Sequence, residues 1–327
     1  MQTATFNNTF NFIANKRVLA DRMLVTKNKQ LYIEHGIYFD YNKNIIDNKM
    51  SMLIIGSMDI DNPYYGGFYL FNGQFPDQYP FLPPLVKTKT QGDNVRFHPN
   101  FYVNGKVCLS ILGTWMGPPW TSCQNMGTIS LSIKSLFIDN PITQEPGWEK
   151  CIPLKANLYK KIICYKNLEI AVYRVVKHGV HTIYAPYKQY IYDTFIQSYP
   201  FYIKILQTYI DVDNNTFVSP IYKISGVFKI RELLNKFKTL YEDIIRIRGD
   251  FNNTVNLPDD VPDTININAT GHSVMNPLHN IKKRKSPNDK AALYSVGYIR
   301  ESENDNKKWI VIETKVGVKR WVRHTSK

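Results

Sequence analysis

A proline-rich segment constrains the fold of this chain more than any other feature. Residues 79–84 read Tyr-Pro-Phe-Leu-Pro-Pro and end in two adjacent prolines. Because proline has no backbone N–H, this segment cannot lie inside a central strand. Strand-like runs flank it, at residues 51–58 and 67–75 before it and at 85–90 after it. The pattern predicts short strands joined by an irregular, exposed segment.

Two helical patterns lie on either side of these strands. Residues 14–27 predict an amphipathic helix, and a second helix follows Thr121 because apolar residues recur there at helical spacing. Pro141 is expected to close the second helix. Residues 1–150 therefore predict one mixed domain of helices and strands.

The rest of the chain divides into three regions. Residues 151–248 predict a helical region whose last apolar stripe, 227–245, we expect to pack on the first domain. The tyrosine-rich stretch 184–209 is also assigned to a helix. Residues 249–290 are polar and unpatterned and predict a flexible linker. Residues 291–327 predict a small basic β-hairpin with a turn at Gly317.

The net charge of +14 belongs mostly to the end of the chain. Residues 281–327 hold 13 Lys and Arg against 5 Asp and Glu, which leaves +6 for the other 280 residues. The basic run at residues 282–285 is typical of a nuclear-import signal or a nucleic-acid patch. A solvated charge cluster in a linker is the interpretation we favour.

The cysteines are widely spaced and form no Cys-x-x-Cys pair; they are Cys108, Cys123, Cys151 and Cys164. This spacing predicts neither a zinc site nor a disulfide framework, so we expect reduced thiols and no metal or cofactor. The N-terminus lacks the pattern of a signal peptide, and the longest apolar run is too short to span a bilayer. We expect a cytoplasmic protein without a membrane partner, and the nucleus is the alternative location.

Further motifs surround Cys108. Phe-Pro at residues 75–76 precedes the proline-rich segment, His-Pro-Asn at 98–100 follows it, and Cys108 lies eight residues beyond that asparagine. Trp120 is expected to open the next helix, and Asp-Asn-Pro at 139–141 is expected to end it. In this order and spacing the motifs resemble the catalytic domain of ubiquitin-conjugating enzymes, from the N-terminus to about residue 150.

Two other segments refine the resemblance. The long loop 113–120 and the Glu-Pro-Gly at 145–147 are similar to a subtype of the family in which a helical extension follows the catalytic domain. Residues 151–248 resemble that extension more faintly. The tail segment 317–322 looks like C-terminal segments of giant-DNA-virus proteins, which suggests a viral source.

The resemblance implies an α+β fold. It consists of an N-terminal helix, a four-stranded antiparallel meander, an active-site loop and a central helix, followed by the helical extension. The resemblance also implies that Cys108 accepts ubiquitin or a ubiquitin-like protein as a thioester and passes it to a lysine or to a ligase cysteine. A thiolate suits this task because it is both a good nucleophile and a good leaving group. For the other three cysteines we keep the ordinary interpretation of unreactive side chains.

The resemblance gives roles to residues around Cys108. Asn100 stabilises the oxyanion that forms at the thioester carbonyl, or it holds the active-site loop by backbone hydrogen bonds; both roles stay open. Glu145 orients the incoming lysine amine and assists its deprotonation. His98 and Pro99 shape the loop, and His98 is not expected to be a general base.

Partner contacts follow from the same resemblance. Lys16 and Arg17 match positions that dock the activating enzyme, although a solvated basic helix face is an equal alternative. Phe81 and Trp120 match ligase contacts. Residues 121–123 read Thr-Ser-Cys in place of the usual Ser-Pro-Ala, which leaves the choice of ligase open.

Two other functions compete with an active carrier. The first is a binding module with this fold but without catalysis, and the presence of Cys108 with Asn100 argues against it. The second is a nucleic-acid-binding protein that uses the basic tail. The absence of a nucleic-acid-binding motif and the confinement of positive charge to the tail argue against that function.

Overall fold

The structure is a computed structural model that describes residues 2–41, 48–248, 296, 299–301, 307–313 and 319–323. The chain divides into two compact units, Met1–Val255 and Asn256–Lys327. The predicted catalytic domain and the predicted helical region share the first unit. The boundaries at residues 150 and 248 stay predictions, and the predicted linker 249–290 lies outside the described residues.

The first unit opens with two helices and a four-stranded sheet. The helices are α1 (Gln2–Lys27) and α2 (Lys29–Glu34). The strands are β1 (Ile37–Asp40), β2 (Lys49–Ile55), β3 (Phe68–Gln74) and β4 (Leu85–Thr88). All neighbouring strands pair antiparallel in the order β1-β2-β3-β4, which confirms the predicted meander. The residue pattern does not predict β1, and the predicted first helix starts 12 residues later than α1.

Strands β2 and β3 are buried on both faces of the sheet. Consecutive residues of each strand are buried, including Leu53 and Ile54 on β2 and Tyr69 and Leu70 on β3. In a sheet with one solvent-exposed face, buried and exposed residues would alternate along each strand instead. Continuous burial therefore requires a layer on each side of the sheet.

The central helix, α3 (Met126–Lys134), forms one of these layers. The Asn125 side chain caps it by accepting a hydrogen bond of 3.1 Å from the Thr128 N–H. The helix therefore begins six residues after Trp120, which does not open it as expected. At the other end Lys134 donates to two backbone carbonyls, those of Ile55 (2.6 Å) and Gly56 (2.7 Å), and so fastens the helix to the end of β2.

The extension supplies further helices and a small hairpin. Its elements are α4 (Pro153–Lys166), a π-helical segment (Asn167–Arg174), α5 (Val175–Lys177), α6 (Lys188–Thr208), β5 (Thr216–Val218), β6 (Ser225–Val227) and α7 (Ile230–Arg248). The helix assigned to 184–209 is confirmed as α6, whereas the β5–β6 hairpin was not predicted. In the described part of the chain no helix combines the length and hydropathy that a bilayer crossing needs.

The apolar stripe of α7 is buried as expected, but by a different neighbour. The ring of Phe237 lies 5.5 Å from that of Tyr202, 5.8 Å from that of Phe195 and 6.1 Å from that of Tyr173. These rings belong to α6 and to the π-helical segment. The expectation that α7 packs on the catalytic domain was therefore wrong, because the extension has a core of its own.

The extension meets the sheet through buried hydrogen bonds. Asn167 accepts one from the hydroxyl of Tyr69 (2.7 Å) and donates one to the carbonyl of Tyr65 (2.9 Å). Tyr202 donates to the carbonyl of Gly66 (2.9 Å). Because unpaired polar groups are costly to bury, these bonds fix how the extension lies on the sheet. The extension thus forms the second layer over β3.

The second unit contains a three-stranded antiparallel sheet. Its strands are β7 (Ile299–Glu301), β8 (Lys308–Glu313) and β9 (Lys319–Arg323). Strands β8 and β9 form the predicted hairpin, and β7 adds a strand that the pattern did not reveal. The predicted turn at Gly317 lies outside the described residues.

Candidate active site

Asn100 and Cys108 face each other across a tight loop. The Cys108 N–H donates to the Asn100 carbonyl (2.9 Å), and the Asn100 side-chain amide donates to the Cys108 carbonyl (2.7 Å). Between these two residues in the sequence, the backbone N–H of Tyr102 donates to the carbonyl of Lys106 (2.9 Å). Gly105 has a φ of +87°, in the left-handed region that favours glycine. The eight-residue spacing in the sequence is therefore the length of one closed loop.

His98 is fully buried beneath this loop. Its Nδ1 accepts a hydrogen bond of 3.0 Å from the Asn100 N–H, so the neutral ring carries its proton on Nε2. Burial, and then the charge of Arg96, lower the pKa of His98 to about 3. A neutral, enclosed ring that holds the backbone of Asn100 fits the loop-shaping role. It does not fit a general base that must reach an acceptor amine.

Pro99 is held by a residue that the sequence did not reveal. The guanidinium of Arg96 donates through Nη2 to the Pro99 carbonyl. It lies 3.8 Å from the ring centre of Tyr102 and 4.1 Å from that of Tyr222. The loop that presents Asn100 is therefore braced by a cation enclosed between two aromatic faces.

Thr114 fastens the long loop 113–120 to the backbone on both sides of Cys108. Its hydroxyl accepts from the Leu109 N–H (3.0 Å) and lies 2.9 Å from the Val107 carbonyl, to which it donates. Cys108 itself is only 2% exposed. A reaction partner therefore reaches its Sγ only when neighbouring side chains move.

Glu145 follows a 3-10 turn (Pro141–Gln144) that starts shortly after the central helix. Its backbone N–H donates to the Ile142 carbonyl (3.1 Å), and this bond fixes the backbone from which the Glu145 side chain extends. The carboxylate is half-buried and accepts a hydrogen bond from the hydroxyl of Tyr222. The predicted acid is thus held by a side chain of the helical extension.

The two predicted activating-enzyme residues differ in their surroundings. Lys16 is exposed on α1. Arg17 bonds to Asp21 (2.8 Å), to the Gln124 carbonyl (2.7 Å) and to the Ser122 carbonyl. Arg17 therefore joins α1 to the segment that precedes α3, in addition to any role in docking.

The two predicted ligase residues are brought together. The Trp120 indole N–H donates to the carbonyl of Pro80 (2.7 Å), and its ring lies 6.0 Å from that of Tyr79. The adjacent Phe81 is 61% exposed. A large apolar side chain is thus held outward beside the Trp120 segment, as a docking contact requires.

Among the described residues, no group of three or more His, Cys, Asp or Glu side chains converges as a metal site would require. All four cysteines are free. Burial raises the pKa of the Cys164 thiol to about 12, which keeps it protonated and unreactive.

The comparisons with known proteins agree with this arrangement. Residues 17–162 match the family model described as ubiquitin-conjugating enzyme, and this segment contains both Asn100 and Cys108. Over residues 17–162 the chain carries a domain of the ubiquitin-conjugating enzyme family. The predicted α+β fold is that of this family and is confirmed.

Within the family the chain is similar to ubiquitin-conjugating enzyme E2 Z. It is 36% identical to the Homo sapiens protein over 60% of this chain and 55% of the relative, and 37% identical to the Danio rerio protein over 59% and 58%. The chain therefore spans less than two thirds of the length of these relatives. A probable ubiquitin-conjugating enzyme of Acanthamoeba polyphaga mimivirus is 40% identical over 39% of this chain and 9% of the relative. A viral source stays a prediction.

Proposed function

We propose that this chain carries ubiquitin, or a ubiquitin-like protein, as a thioester on Cys108 and transfers it to a lysine amine or to a ligase cysteine. The reciprocal bonding of Asn100 and Cys108, inside the segment that matches the family, carries this proposal. That bonding presents one cysteine in a fixed loop, and the other three cysteines have no such setting.

Loading is a transfer between two thiols. The Cys108 thiolate attacks the carbonyl carbon of a thioester on the activating enzyme. A new C–S bond to Cys108 forms, and the bond to the activating enzyme's cysteine breaks. The departing thiolate takes up the proton that Cys108 has given up. The reaction is nearly isoenergetic because one thioester replaces another.

Transfer to lysine exchanges the thioester for an amide. The amine nitrogen attacks the carbonyl carbon, and negative charge develops on the carbonyl oxygen. The collapse of this intermediate breaks the C–S bond and releases the Cys108 thiolate. The amine loses a proton, and a carboxylate at Glu145 is suited to orient the amine and accept that proton.

Asn100 has two N–H groups on its amide, and one of them donates to the Cys108 carbonyl (2.7 Å). The second hydrogen is the candidate donor to the developing oxyanion. The two roles that the sequence left open are therefore compatible in one side chain. The bond to Cys108 fixes the amide in place, and a fixed donor stabilises charge better than a mobile one.

The partners in this proposal are an activating enzyme, ubiquitin or a related modifier, and a ligase. Lys16 on the exposed face of α1 supports an activating-enzyme contact, and exposed Phe81 beside Trp120 supports a ligase contact. The chemistry requires a reduced Cys108, which is the state that the cytosol maintains. We therefore also propose a cytoplasmic location.

A loading assay tests the proposal. The full chain is incubated with an activating enzyme, ATP and ubiquitin, and a gain in mass that reductant removes marks the thioester. Cys108→Ala is expected to form no such product, and Cys108→Ser to form a slowly hydrolysed ester that reductant leaves intact. Cys123→Ala is the matched control, because Cys123 is exposed and free. The same product from Cys108→Ala would contradict the function, and a non-catalytic binding module would then be the better interpretation.

A further inference from the structure

Tyr222 belongs to the extension but contacts both parts of the candidate active site. It lies in the turn between β5 and β6, outside the segment that matches the family. Its hydroxyl donates to the carboxylate of Glu145. Its ring lies 4.1 Å from the guanidinium carbon of Arg96, which donates to the Pro99 carbonyl. One side chain thus connects the predicted acid with the loop of the predicted nucleophile.

The contact with Arg96 positions a cation. The half-buried guanidinium lies between the rings of Tyr102 and Tyr222, which attract the cation through their π faces. Arg96 holds the carbonyl of the residue that precedes Asn100. Removal of the Tyr222 ring would open one side of this enclosure and loosen the hold on the loop.

The contact with Glu145 positions an anion. Burial, and then the bond to Glu145, raise the pKa of the Tyr222 hydroxyl well above its ordinary value. The hydroxyl therefore stays protonated at neutral pH and acts as a donor to the carboxylate. Charge-assisted bonds of this kind are about twice as strong as neutral ones.

The backbone of Tyr222 is held in an uncommon conformation. Tyr222 has a φ of 64° and Lys223 a φ of 54°, both in the left-handed region that bulky residues seldom adopt. The backbone N–H of Ser219 donates to the carbonyl of Ile224 (2.7 Å) and closes the turn that contains Tyr222 and Lys223. The centre of the buried Tyr159 ring lies 6.4 Å from the centre of the Tyr222 ring. Such conformations persist where surrounding contacts over-determine them, often at functional sites.

We propose that Tyr222 is a positioning residue for transfer to lysine, which holds the Glu145 carboxylate with its hydroxyl and braces Arg96 with its ring. This inference rests on the proposed function and extends it, because it makes the helical extension part of the working site. Tyr222 is not a catalytic residue, since it acts through Glu145 and Arg96.

Two substitutions separate the hydroxyl from the ring. Tyr222→Phe removes the donor to Glu145 and keeps the ring over Arg96, whereas Tyr222→Leu removes both. Tyr241→Phe is the matched control, because Tyr241 lies in the same extension and stacks on Tyr199 (4.1 Å) away from the site. Each variant is made in the full chain, and three rates are measured: loading of Cys108, discharge to free lysine and discharge to a small thiol.

For Tyr222→Phe we expect discharge to lysine to fall about tenfold more than discharge to the thiol, because only the amine needs an oriented acid. Tyr241→Phe should match the unsubstituted chain in all three rates. In a Glu145→Ala background, Tyr222→Phe should cause no further loss of lysine discharge, since the carboxylate that it positions is absent. Tyr222→Leu should also slow discharge to the thiol, through the loosened loop.

Three outcomes would overturn the assignment alone. They are unchanged lysine discharge in Tyr222→Phe, equal loss with lysine and thiol, and additive losses in the Glu145→Ala background. Failure of the unsubstituted chain to form a thioester would instead overturn the proposed function. Thermal unfolding of the unsubstituted chain, Tyr222→Phe, Glu145→Ala and the double variant then tests the contact itself. Coupling between the two substitutions supports the Tyr222–Glu145 bond, and additivity refutes it.

Discussion

Asn100→Ala is expected to have two separable effects, because the Asn100 amide makes a structural hydrogen bond and is also the proposed oxyanion donor. The first effect is on stability. The substitution removes a buried donor and leaves the Cys108 carbonyl without it (2.7 Å in the intact chain). An unpaired buried acceptor costs about 1–3 kcal/mol. At about 2–4 °C per kcal/mol for a domain of this size, the melting temperature should fall by about 2–12 °C.

The second effect is on the rate of transfer. Loss of one oxyanion donor costs about 10²–10³ in rate. In the proposed transfer to lysine, the attacked carbonyl is that of the Cys108 thioester, and we propose Asn100 as its oxyanion donor. In loading it sits in the site of the activating enzyme. We therefore expect discharge to lysine to fall by about 10² and loading by less than about fivefold.

Thermal melting and single-turnover rates of loading and discharge measure both effects. Asn104→Ala is the control, because Asn104 bonds to the Lys106 N–H (3.1 Å) at the exposed tip of the same loop. Asn104→Ala should keep the rate of discharge to lysine within about twofold of the rate in the unsubstituted chain. If loading and discharge fell by the same factor in Asn100→Ala, the amide would only hold the loop. If the melting temperature did not change, the structural bond would be refuted.

Three further predictions concern stability and domain organisation. Because His98 is buried and neutral, the free energy of unfolding should fall as the pH drops from about 6.5 toward 3, where only the unfolded chain takes up a proton on this residue. His98→Asn keeps an acceptor for the Asn100 N–H but cannot be protonated in this range. It should therefore flatten the slope in acid titrations followed by circular dichroism. Gly67→Ala should lower the melting temperature and loosen the extension, because a Cβ there would lie 1.9 Å from Oδ1 of Asn167. The same change at Gly113, where a Cβ would meet no atom within 4 Å, should alter only the left-handed turn at that residue. Deletion of residues 256–327 should leave the melting of the first unit and its loading rate near those of the full chain, because the two units cluster separately; a large loss of either would show that the tail completes the site.

The sequence was sufficient where the determining contacts are local. Asn100 and Cys108 bond across eight residues, so a short motif at fixed spacing is enough to predict the loop. Helix α7 was predicted because a stripe at steps of three and four is a property of one segment. The proline-rich segment ended a strand for the same reason, since proline lacks a donor wherever the chain goes.

Only the tertiary structure decided which side chains of the extension contact the candidate site and the sheet. Tyr222 meets Glu145 across 77 positions, and Asn167 meets Tyr69 across 98. No periodicity or spacing encodes such pairs, because they depend on how the extension packs back over the sheet. The same packing explains why α7 buries its stripe within the extension, against Tyr202 and its neighbours. Local residue pattern thus predicted the Asn100–Cys108 loop, whereas burial of the second face of the sheet brought in the extension side chain that contacts Glu145 and Arg96.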